Sequence, residues 1–103
     1  MTNILIIGAN GFIGSNLTRG LINEDNEIST ISKIDSDEWR LQDFKKSYKK
    51  YSADITNYKK LHEGIFSLEP DVIINCATYG VYPVEKDTEK IFRNNIIGTK
   101  NLI

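Results

Sequence analysis

The chain has 103 residues, enough for one small domain, and its 40% hydrophobic and 26% charged residues are typical of a globular protein in water. A formal net charge of −1 excludes a global attraction to nucleic acid or to an acidic membrane, and no apolar run is long enough to cross a bilayer. The single cysteine, Cys76, excludes an internal disulfide and favours a reducing compartment, so we expect a cytoplasmic protein.

The amino-terminal segment carries the most informative pattern. Residues 4–7 are a continuous apolar run, typical of a strand buried on both faces, and a helix is predicted from residue 11 to about residue 24. The spacing of three glycines predicts a role for each of them. Gly8 allows a sharp turn, Gly11 allows a pyrophosphate to approach the backbone, and Gly14 allows the helix to pack closely on the sheet. The helix N-terminus then offers free N–H groups to the phosphates. The alternative is a tight turn that binds nothing.

The remaining segments alternate between strand and helix patterns. Predicted strands cover residues 27–32, 51–53 and 72–76, and predicted helices cover residues 56–68 and the segment from about residue 85 onwards. The pattern over residues 33–48 is ambiguous and fits a loop that carries a short helix around residues 39–46. This alternation predicts an α/β fold with a parallel sheet, and right-handed crossovers favour the strand order 3-2-1-4. We therefore expect the amino-terminal half of a doubly wound, Rossmann-like fold, with a nucleotide over the carboxyl end of the first strand.

Individual side chains are also placed by these patterns. Thr56 is predicted to cap the helix over residues 56–68, and His62 is predicted on its exposed face. Gly20 stands inside the first predicted helix, where glycine is unfavourable, and close packing of the helix on the sheet is one reason for a glycine there. Cys76 is predicted as a buried thiol at the end of a strand buried within the sheet. The predicted inward-facing residues of the helix over residues 56–68 are Leu61, Ile65 and Leu68.

The carboxyl-terminal part of the chain predicts an open edge. In the order 3-2-1-4 the strand over residues 72–76 is an edge strand, and it is apolar apart from Asn75. Such edges recruit other chains, so self-association is expected. The final helix runs to Ile103 without a cap or a breaker, which predicts that the chain is cut from a longer protein.

Four blocks of the sequence follow one another in a familiar order. They are residues 8–14, Asp54-Ile55-Thr56, residues 71–78 ending in Ala77-Thr78, and Asn95-Ile96-Ile97-Gly98-Thr99 followed by Asn101-Leu102. Together they resemble the amino-terminal part of the extended short-chain dehydrogenase/reductase family, the nucleotide-sugar epimerases and dehydratases, although Ala53 stands where the second block of the family has glycine. A narrower resemblance, through residues 36–41 and 77–83, is to members that reduce 4-keto-6-deoxy sugars on nucleotide diphosphates.

The family resemblance implies a cradle for an NAD(P) dinucleotide, with Asp54 and Ile55 beside the adenine. Small residues at the end of the fourth strand suit a dinucleotide that crosses the strand ends. The predicted cofactor-binding residues are Gly8, Asn10, Gly11, Phe12, Ile13, Ser32, Lys33, Asp54, Ile55, Cys76, Ala77 and Thr78.

The end of the second strand bears on the choice between NADP and NAD. NAD sites typically have an acidic residue there for the ribose hydroxyls, whereas here the position is Ser32, followed by Lys33. The nearest acid, Asp35, comes three residues too late. A hydroxyl and an ammonium accept a 2′-phosphate that a carboxylate would repel, so NADP is predicted, with NAD as the alternative. The competing interpretation of Lys33 is a solvated loop lysine.

No catalytic residue and no metal site are predicted within the chain. The resemblance implies a Tyr-x-x-x-Lys pair that lies beyond Ile103, and Asn95 as a support for its lysine or as an amide shared with solvent. Tyr82 and Lys86 have the same spacing, but Pro83 places them in a loop, where they do not share a helical face. Residues 1–103 are thus expected to be a partial NAD(P)-binding domain, with nucleotide sugar bound only by the full-length protein. A non-enzymatic dinucleotide-binding module and a structural fragment are the alternatives.

Overall fold

The computed structural model describes residues 1–22, 25–78 and 87–103, apart from the side chains of Lys45 and Lys46. Four strands, β1 (Thr2–Ile7), β2 (Asn26–Ser32), β3 (Lys49–Ser52) and β4 (Val72–Asn75), form one parallel sheet in the order β3-β2-β1-β4. The predicted α/β class and strand order are therefore confirmed.

Helices cover both faces of this sheet. Helix α1 (Phe12–Ile22) and a 3₁₀ helix (Trp39–Ser47) lie on one face, and α2 (Tyr58–Leu68) lies on the other. Alternate residues of β1 point to opposite layers: Ile6 packs in the cluster with Leu41 of the 3₁₀ helix, and Leu5 packs in the cluster with Leu61 of α2. Coverage of both faces is the reason that residues 4–7 of β1 are an unbroken apolar run.

The last described helix consists of three consecutive segments, α3 (Thr88–Phe92), a π-helical turn (Arg93–Ile97) and α4 (Gly98–Leu102). Asp87 caps α3, because its carboxylate accepts a hydrogen bond from the N–H of Lys90 at 3.2 Å. Leu102 packs against the core on the α2 side of the sheet. The predicted start of this helix, near residue 85, lies outside the described residues.

The N-cap of α2 lies one residue later than predicted. The side chain of Asn57 accepts a hydrogen bond from the N–H of Lys60 at 3.1 Å, so Asn57 is the N-cap. The prediction of Thr56 was wrong because both its N–H and its hydroxyl donate to Asp54, at 2.9 and 2.7 Å. The C-cap of α2 is Glu69, whose φ of 48° is left-handed. The inward placement of Leu61, Ile65 and Leu68 is confirmed.

Two of the strands also differ from their predictions. Strand β3 starts at Lys49, whose ammonium lies 2.5 Å from the carboxylate of Glu27 on β2, and it ends before Ala53. Strand β4 was predicted as buried, which is wrong: Val72 is 45% exposed and Ile73 is 38% exposed. No strand among the described residues pairs with the outer edge of β4, because β4 is the last strand of the sheet.

Two single-residue predictions on the helices are corrected as well. A Cβ at Gly20 would meet nothing within 4 Å, so close packing does not explain that glycine. His62 was predicted on an exposed face but is half-buried. Its Nε2 lies 2.6 Å from the carbonyl oxygen of Asn101, and its ring lies 4.1 Å from the ring of Tyr58. The imidazole therefore joins α2 to α4.

Candidate functional site

The chain turns sharply at Gly8, directly after β1. Gly8 has a φ of 80° and is the only described glycine with a positive φ. Its N–H donates to the carbonyl of Ile31 at 3.3 Å, and its own carbonyl accepts from the N–H of Gly11 at 3.2 Å. A Cβ at Gly8 would lie 2.5 Å from the backbone nitrogen of Ala77. Glycine is therefore required here, both for the turn and for the close approach of the segment after β4.

The N-terminus of α1 is held against this turn. The first helical hydrogen bond runs from the N–H of Ser15 to the carbonyl of Gly11, at 3.0 Å, so the N–H groups of Phe12, Ile13 and Gly14 have no acceptor within the helix. A Cβ at Gly14 would lie 2.9 Å from the Cα of Ala9, which keeps α1 close to the end of β1. The positive end of the helix dipole is thereby fixed at the carboxyl edge of the sheet, where it favours an anion.

A cavity of about 550 Å³, called the cleft below, opens at this edge of the sheet. Its volume lies within the range of about 300–1,000 Å³ that is typical of small-molecule sites. The predicted cofactor-binding residues that line it are Gly8, Asn10, Gly11, Phe12, Ile13, Ser32, Lys33, Ile55, Cys76, Ala77 and Thr78. The structure brings every member of the predicted set except Asp54 into one cleft. Their role as cofactor ligands stays a prediction.

Asp54 does not line the cleft, and its carboxylate organises the turn that follows β3. Partial burial on its own would raise the pKa of its carboxyl, but the two hydrogen bonds from Thr56, together with the charges of Lys33 and Arg93, lower that pKa below its ordinary value. Asp54 Oδ2 lies 3.8 Å from Lys33 Nζ, and both side chains are more than one-third exposed. Exposed ion pairs of this kind contribute only about 0–1 kcal/mol. The pair therefore leaves the Lys33 ammonium able to turn towards a ligand in the cleft.

Several residues that line the cleft were missed by the sequence prediction. They are Ile7, Ile31, Ser36, Arg40, Ala53, Lys90 and Asn94. Arg40 belongs to the 3₁₀ helix, and its Nη1 donates to the carbonyl of Asn10 at 3.1 Å. This contact joins residues 30 positions apart, so neither periodicity nor motif spacing signals it.

The segment after β4 forms the opposite wall of the cleft. The N–H of Cys76 donates to the carbonyl of Ile7 at 2.7 Å, and the hydroxyl of Thr78 donates to Asn95 Oδ1 at 3.2 Å. Cys76 is half-buried beside the cleft, which corrects the prediction of a buried thiol. Burial raises the pKa of its thiol, so the neutral form is favoured at neutral pH. Tyr82 and Lys86 lie outside the described residues.

The amide of Asn10 bears on whether a polar ligand fits the cleft. Its Nδ2 is buried and has no hydrogen-bond partner among the described residues. An unpaired buried donor costs about 1–3 kcal/mol, which an acceptor oxygen on a ligand would recover. With the free N–H groups of α1 and the close approach at Gly8, this donor fits the phosphates of a dinucleotide.

No metal-binding cluster and no membrane-spanning helix is found in the part of the chain that the structure describes. There, no group of three or more His, Cys, Asp or Glu side chains is arranged to hold a metal ion. None of the helices there has the length and hydropathy needed to cross a membrane.

The chain is similar in sequence or in fold to three bacterial enzymes. The UDP-glucose 4-epimerase of Lactobacillus helveticus is 26% identical over 101 residues, which are 97% of this chain and 30% of that protein. The structure of the UDP-Glc/GlcNAc 4-epimerase of Campylobacter jejuni superposes with a TM-score of 0.85 at 24% identity, over 99% of this chain and 32% of that one. The dTDP-glucose 4,6-dehydratase of Bacillus anthracis, solved in complex with NAD, gives a TM-score of 0.77 at 26% identity, again over 99% and 32% of the two chains.

The chain therefore spans about a third of the length of these relatives. The sequence model of the NAD dependent epimerase/dehydratase family matches residues 4–103, nearly the whole chain. On that match, supported by the strand order and the glycine turn, the chain belongs to the NAD dependent epimerase/dehydratase family.

Proposed function

We propose that this chain binds a nicotinamide dinucleotide in the cleft, as the cofactor-binding portion of a nucleotide-sugar epimerase, dehydratase or reductase. The observation that carries the proposal is the free N-terminus of α1, which the glycine turn fixes at the carboxyl ends of β1 and β4. Membership of the family supports it. So does the NAD complex of the dTDP-glucose 4,6-dehydratase from Bacillus anthracis.

Different residues of the cleft bind different parts of the dinucleotide. The N–H groups of Phe12 and Ile13 and the amide of Asn10 bind the pyrophosphate. The apolar side chains of Ala53 and Ile55 bind the adenine ring, at the end of β3. The segment from Cys76 to Thr78 contacts the part of the cofactor that crosses β4. When bound, the nicotinamide supplies hydride transfer to or from a sugar carbon.

Within this proposal the preferred dinucleotide is NADP. Ser32 ends β2 at the cleft, where NAD sites typically have a carboxylate for the ribose hydroxyls, and none of the described residues that line the cleft is acidic. Lys33 follows it, lines the cleft and is held only by an exposed ion pair to Asp54. The relatives' NAD complexes support a nicotinamide dinucleotide in general, and the preference for the 2′-phosphate is argued from these side chains.

The sugar chemistry is proposed for the whole enzyme. The relatives are named for UDP-glucose and dTDP-glucose, and this chain spans about a third of their length. A catalytic Tyr-x-x-x-Lys pair and the sugar-binding half would then be supplied by polypeptide outside residues 1–103. Residues 36–41 and 77–83 suggest a substrate of the 4-keto-6-deoxy class, linked to a nucleoside diphosphate.

Titration of NADPH and NADH tests the cofactor proposal. We expect micromolar or tighter binding of NADPH and weaker binding of NADH. The substitution Lys33→Glu places a carboxylate beside the ribose and should reverse this order. Lys59→Glu, the same change of charge on an exposed face of α2 away from the cleft, is the matched control and should leave it intact. An unchanged preference in Lys33→Glu would show that Lys33 is a solvated lysine.

Turnover assays distinguish two hypotheses, that the chain is a portion of an enzyme and that it is an independent dinucleotide-binding module. The 103-residue chain should bind dinucleotide but should not oxidise NADPH with nucleotide-linked keto sugars, because cofactor binding alone supplies no proton donor and no substrate pocket. The same protein extended by the reading frame beyond codon 103 should turn over. Turnover by the 103-residue chain itself would instead direct attention to Tyr82 and Lys86, and dinucleotide binding with a stop at codon 103 would favour the module.

A further inference from the structure

Arg19 lies on α1, and its half-buried side chain connects α1 to the 3₁₀ helix. Its Nη2 donates a hydrogen bond to the backbone carbonyl of Arg40, and its Nη1 donates to Asn16 Oδ1 at 3.4 Å. Its guanidinium carbon lies 6.0 Å from the centroid of the Phe44 ring, within the range of a cation–π contact. Arg19 is not among the residues that line the cleft. Any effect of Arg19 on a ligand there is therefore indirect.

The hydrogen bond from Arg19 orients one peptide unit of the 3₁₀ helix. This unit joins Arg40 to Leu41, and its N–H donates to the carbonyl of Glu38 at 3.0 Å. A 3₁₀ helix of nine residues is weak on its own, because its hydrogen bonds have poorer geometry than those of an α-helix. The fully buried Leu41 holds the helix against the core, but an apolar contact does not set the direction of a carbonyl. The guanidinium of Arg19 sets that direction, because a hydrogen bond requires alignment.

Arg40 transmits this orientation to the glycine turn. Its backbone belongs to the peptide unit that Arg19 holds, and its own Nη1 donates to the carbonyl of Asn10 at 3.1 Å. Its guanidinium also lies 4.5 Å from the centroid of the Trp39 ring, which restricts the side chain further. Arg19, Arg40 and Asn10 therefore form a continuous series of hydrogen-bonded residues that leads from α1 to the cleft.

The last residue of this series presents a polar group to the cleft. Asn10 lines the cleft, and its Nδ2 is buried without a hydrogen-bond partner among the described residues. Because Arg40 holds the carbonyl of the same residue, it restricts the directions in which the Asn10 amide can point. A hydrogen bond to a ligand weakens steeply when its donor is misaligned. Loss of the bond from Arg19 should therefore weaken a bond that Asn10 makes to a ligand.

We propose that Arg19 is a positioning residue of the pyrophosphate site, which holds the Asn10 amide towards the ligand through Arg40. This inference rests on the proposed function, because it concerns the residue to which that function assigns the pyrophosphate. It gives a share of the affinity for the dinucleotide to a side chain that does not line the cleft. Its effect should depend on the presence of the Asn10 amide, which distinguishes positioning from general support of the fold.

A double-mutant cycle with NADH, followed by isothermal titration calorimetry, tests this dependence. Arg19→Met keeps an unbranched stem and removes the donors, so affinity for NADH should fall about 10-fold, the lower end of the effect of losing a hydrogen bond to a charged group. In the background of Asn10→Ala, which removes the amide, Arg19→Met should cause no further loss. Arg19→Lys should restore part of the affinity, because an ammonium can also donate to the Arg40 carbonyl. Lys59→Met, on an exposed face of α2, is the control and should change nothing.

The outcomes separate this inference from the proposed function. If the unsubstituted protein binds NADH and Arg19→Met binds it equally well, the inference is overturned and the proposed function stands. If Arg19→Met lowers affinity by the same factor with and without the Asn10 amide, Arg19 supports the fold, and the positioning role is overturned. If the unsubstituted protein binds no NADH, the proposed function is wrong and the inference fails with it. Circular dichroism verifies the fold of each variant, and Arg19→Gln repeats the cycle should Arg19→Met not fold.

Discussion

The substitution Gly8→Ala tests whether the glycine turn positions the cleft. Alanine at a φ of 80° is strained by about 1–3 kcal/mol. Its Cβ would also lie 2.5 Å from the nitrogen of Ala77 and 2.6 Å from the carbonyl carbon of Cys76, both of them backbone atoms. Crowding of this kind typically costs a further 1–3 kcal/mol or so. The free energy of unfolding should fall by about 2–6 kcal/mol, a large part of the roughly 5–15 kcal/mol that a domain has.

Gly20→Ala is the matched control, because it makes the same chemical change in a helix. Gly20 is exposed within α1, its φ is negative, and a Cβ there meets nothing within 4 Å. Alanine should therefore stabilise the helix by up to about 1 kcal/mol. The two substitutions are expected to shift stability in opposite directions, although both replace glycine by alanine.

Urea denaturation followed by circular dichroism measures both effects. The midpoint of Gly8→Ala should fall clearly below that of the unsubstituted protein, and the midpoint of Gly20→Ala should rise. Repeating the titrations at two protein concentrations separates unfolding from dissociation. Equal midpoints for Gly8→Ala and the unsubstituted protein would refute the argument that the segment after β4 crosses directly against the turn. So would a loss in Gly20→Ala as large as that in Gly8→Ala.

Three further results are expected. Cys76, the only cysteine, should react slowly with iodoacetamide at neutral pH because burial raises its pKa, and saturating NADPH should slow the reaction further; an unchanged rate would place the dinucleotide elsewhere. Asp54→Asn should destabilise the protein at neutral pH. Because the pKa of Asp54 is lowered in the fold, the difference in stability between Asp54→Asn and the unsubstituted protein should vanish as the pH falls through that lowered pKa. A difference in stability that is independent of pH would contradict the stabilising role of the Asp54 carboxylate. Sedimentation at micromolar concentration should show self-association that Ile73→Lys reduces, whereas a monomeric unsubstituted protein would mean that the β4 edge is covered.

The sheet order was predictable because it follows from chain-level regularities. Apolar runs alternate with amphipathic segments, and right-handed crossovers leave few arrangements of such units. The N-cap of α2 was harder to predict from the sequence, because Thr56 and Asn57 are both good capping residues. The choice between them depends on Asp54, which accepts both hydrogen bonds of Thr56 and leaves Asn57 to cap the helix.

The burial of β4 was mispredicted for a related reason. A continuous apolar run indicates that a strand can be buried on both faces, but it does not reveal what covers the strand. Residues 72–75 pair with β1 on one side only, and the consecutive side chains of Val72 and Ile73 are both partly exposed. The sequence pattern therefore reports the environment for which the strand is suited, and the described residues supply only part of that environment.

The proposed cofactor class and the proposed cofactor preference rest on different parts of the sequence. The proposed class rests on a turn and a helix N-terminus within residues 8–14, where the backbone requires glycine, so a single stretch of sequence is sufficient to predict it. The proposed preference is argued from Ser32 and Lys33, and the cleft beside them includes Arg40, which reaches it when the 3₁₀ helix folds back and Arg40 binds the carbonyl of Asn10. Under the proposed function, a substitution at Lys33 should change the preference and leave the glycine turn intact. The Lys33→Glu titration therefore tests the proposed preference separately from the proposed cofactor class, which rests on the glycine turn.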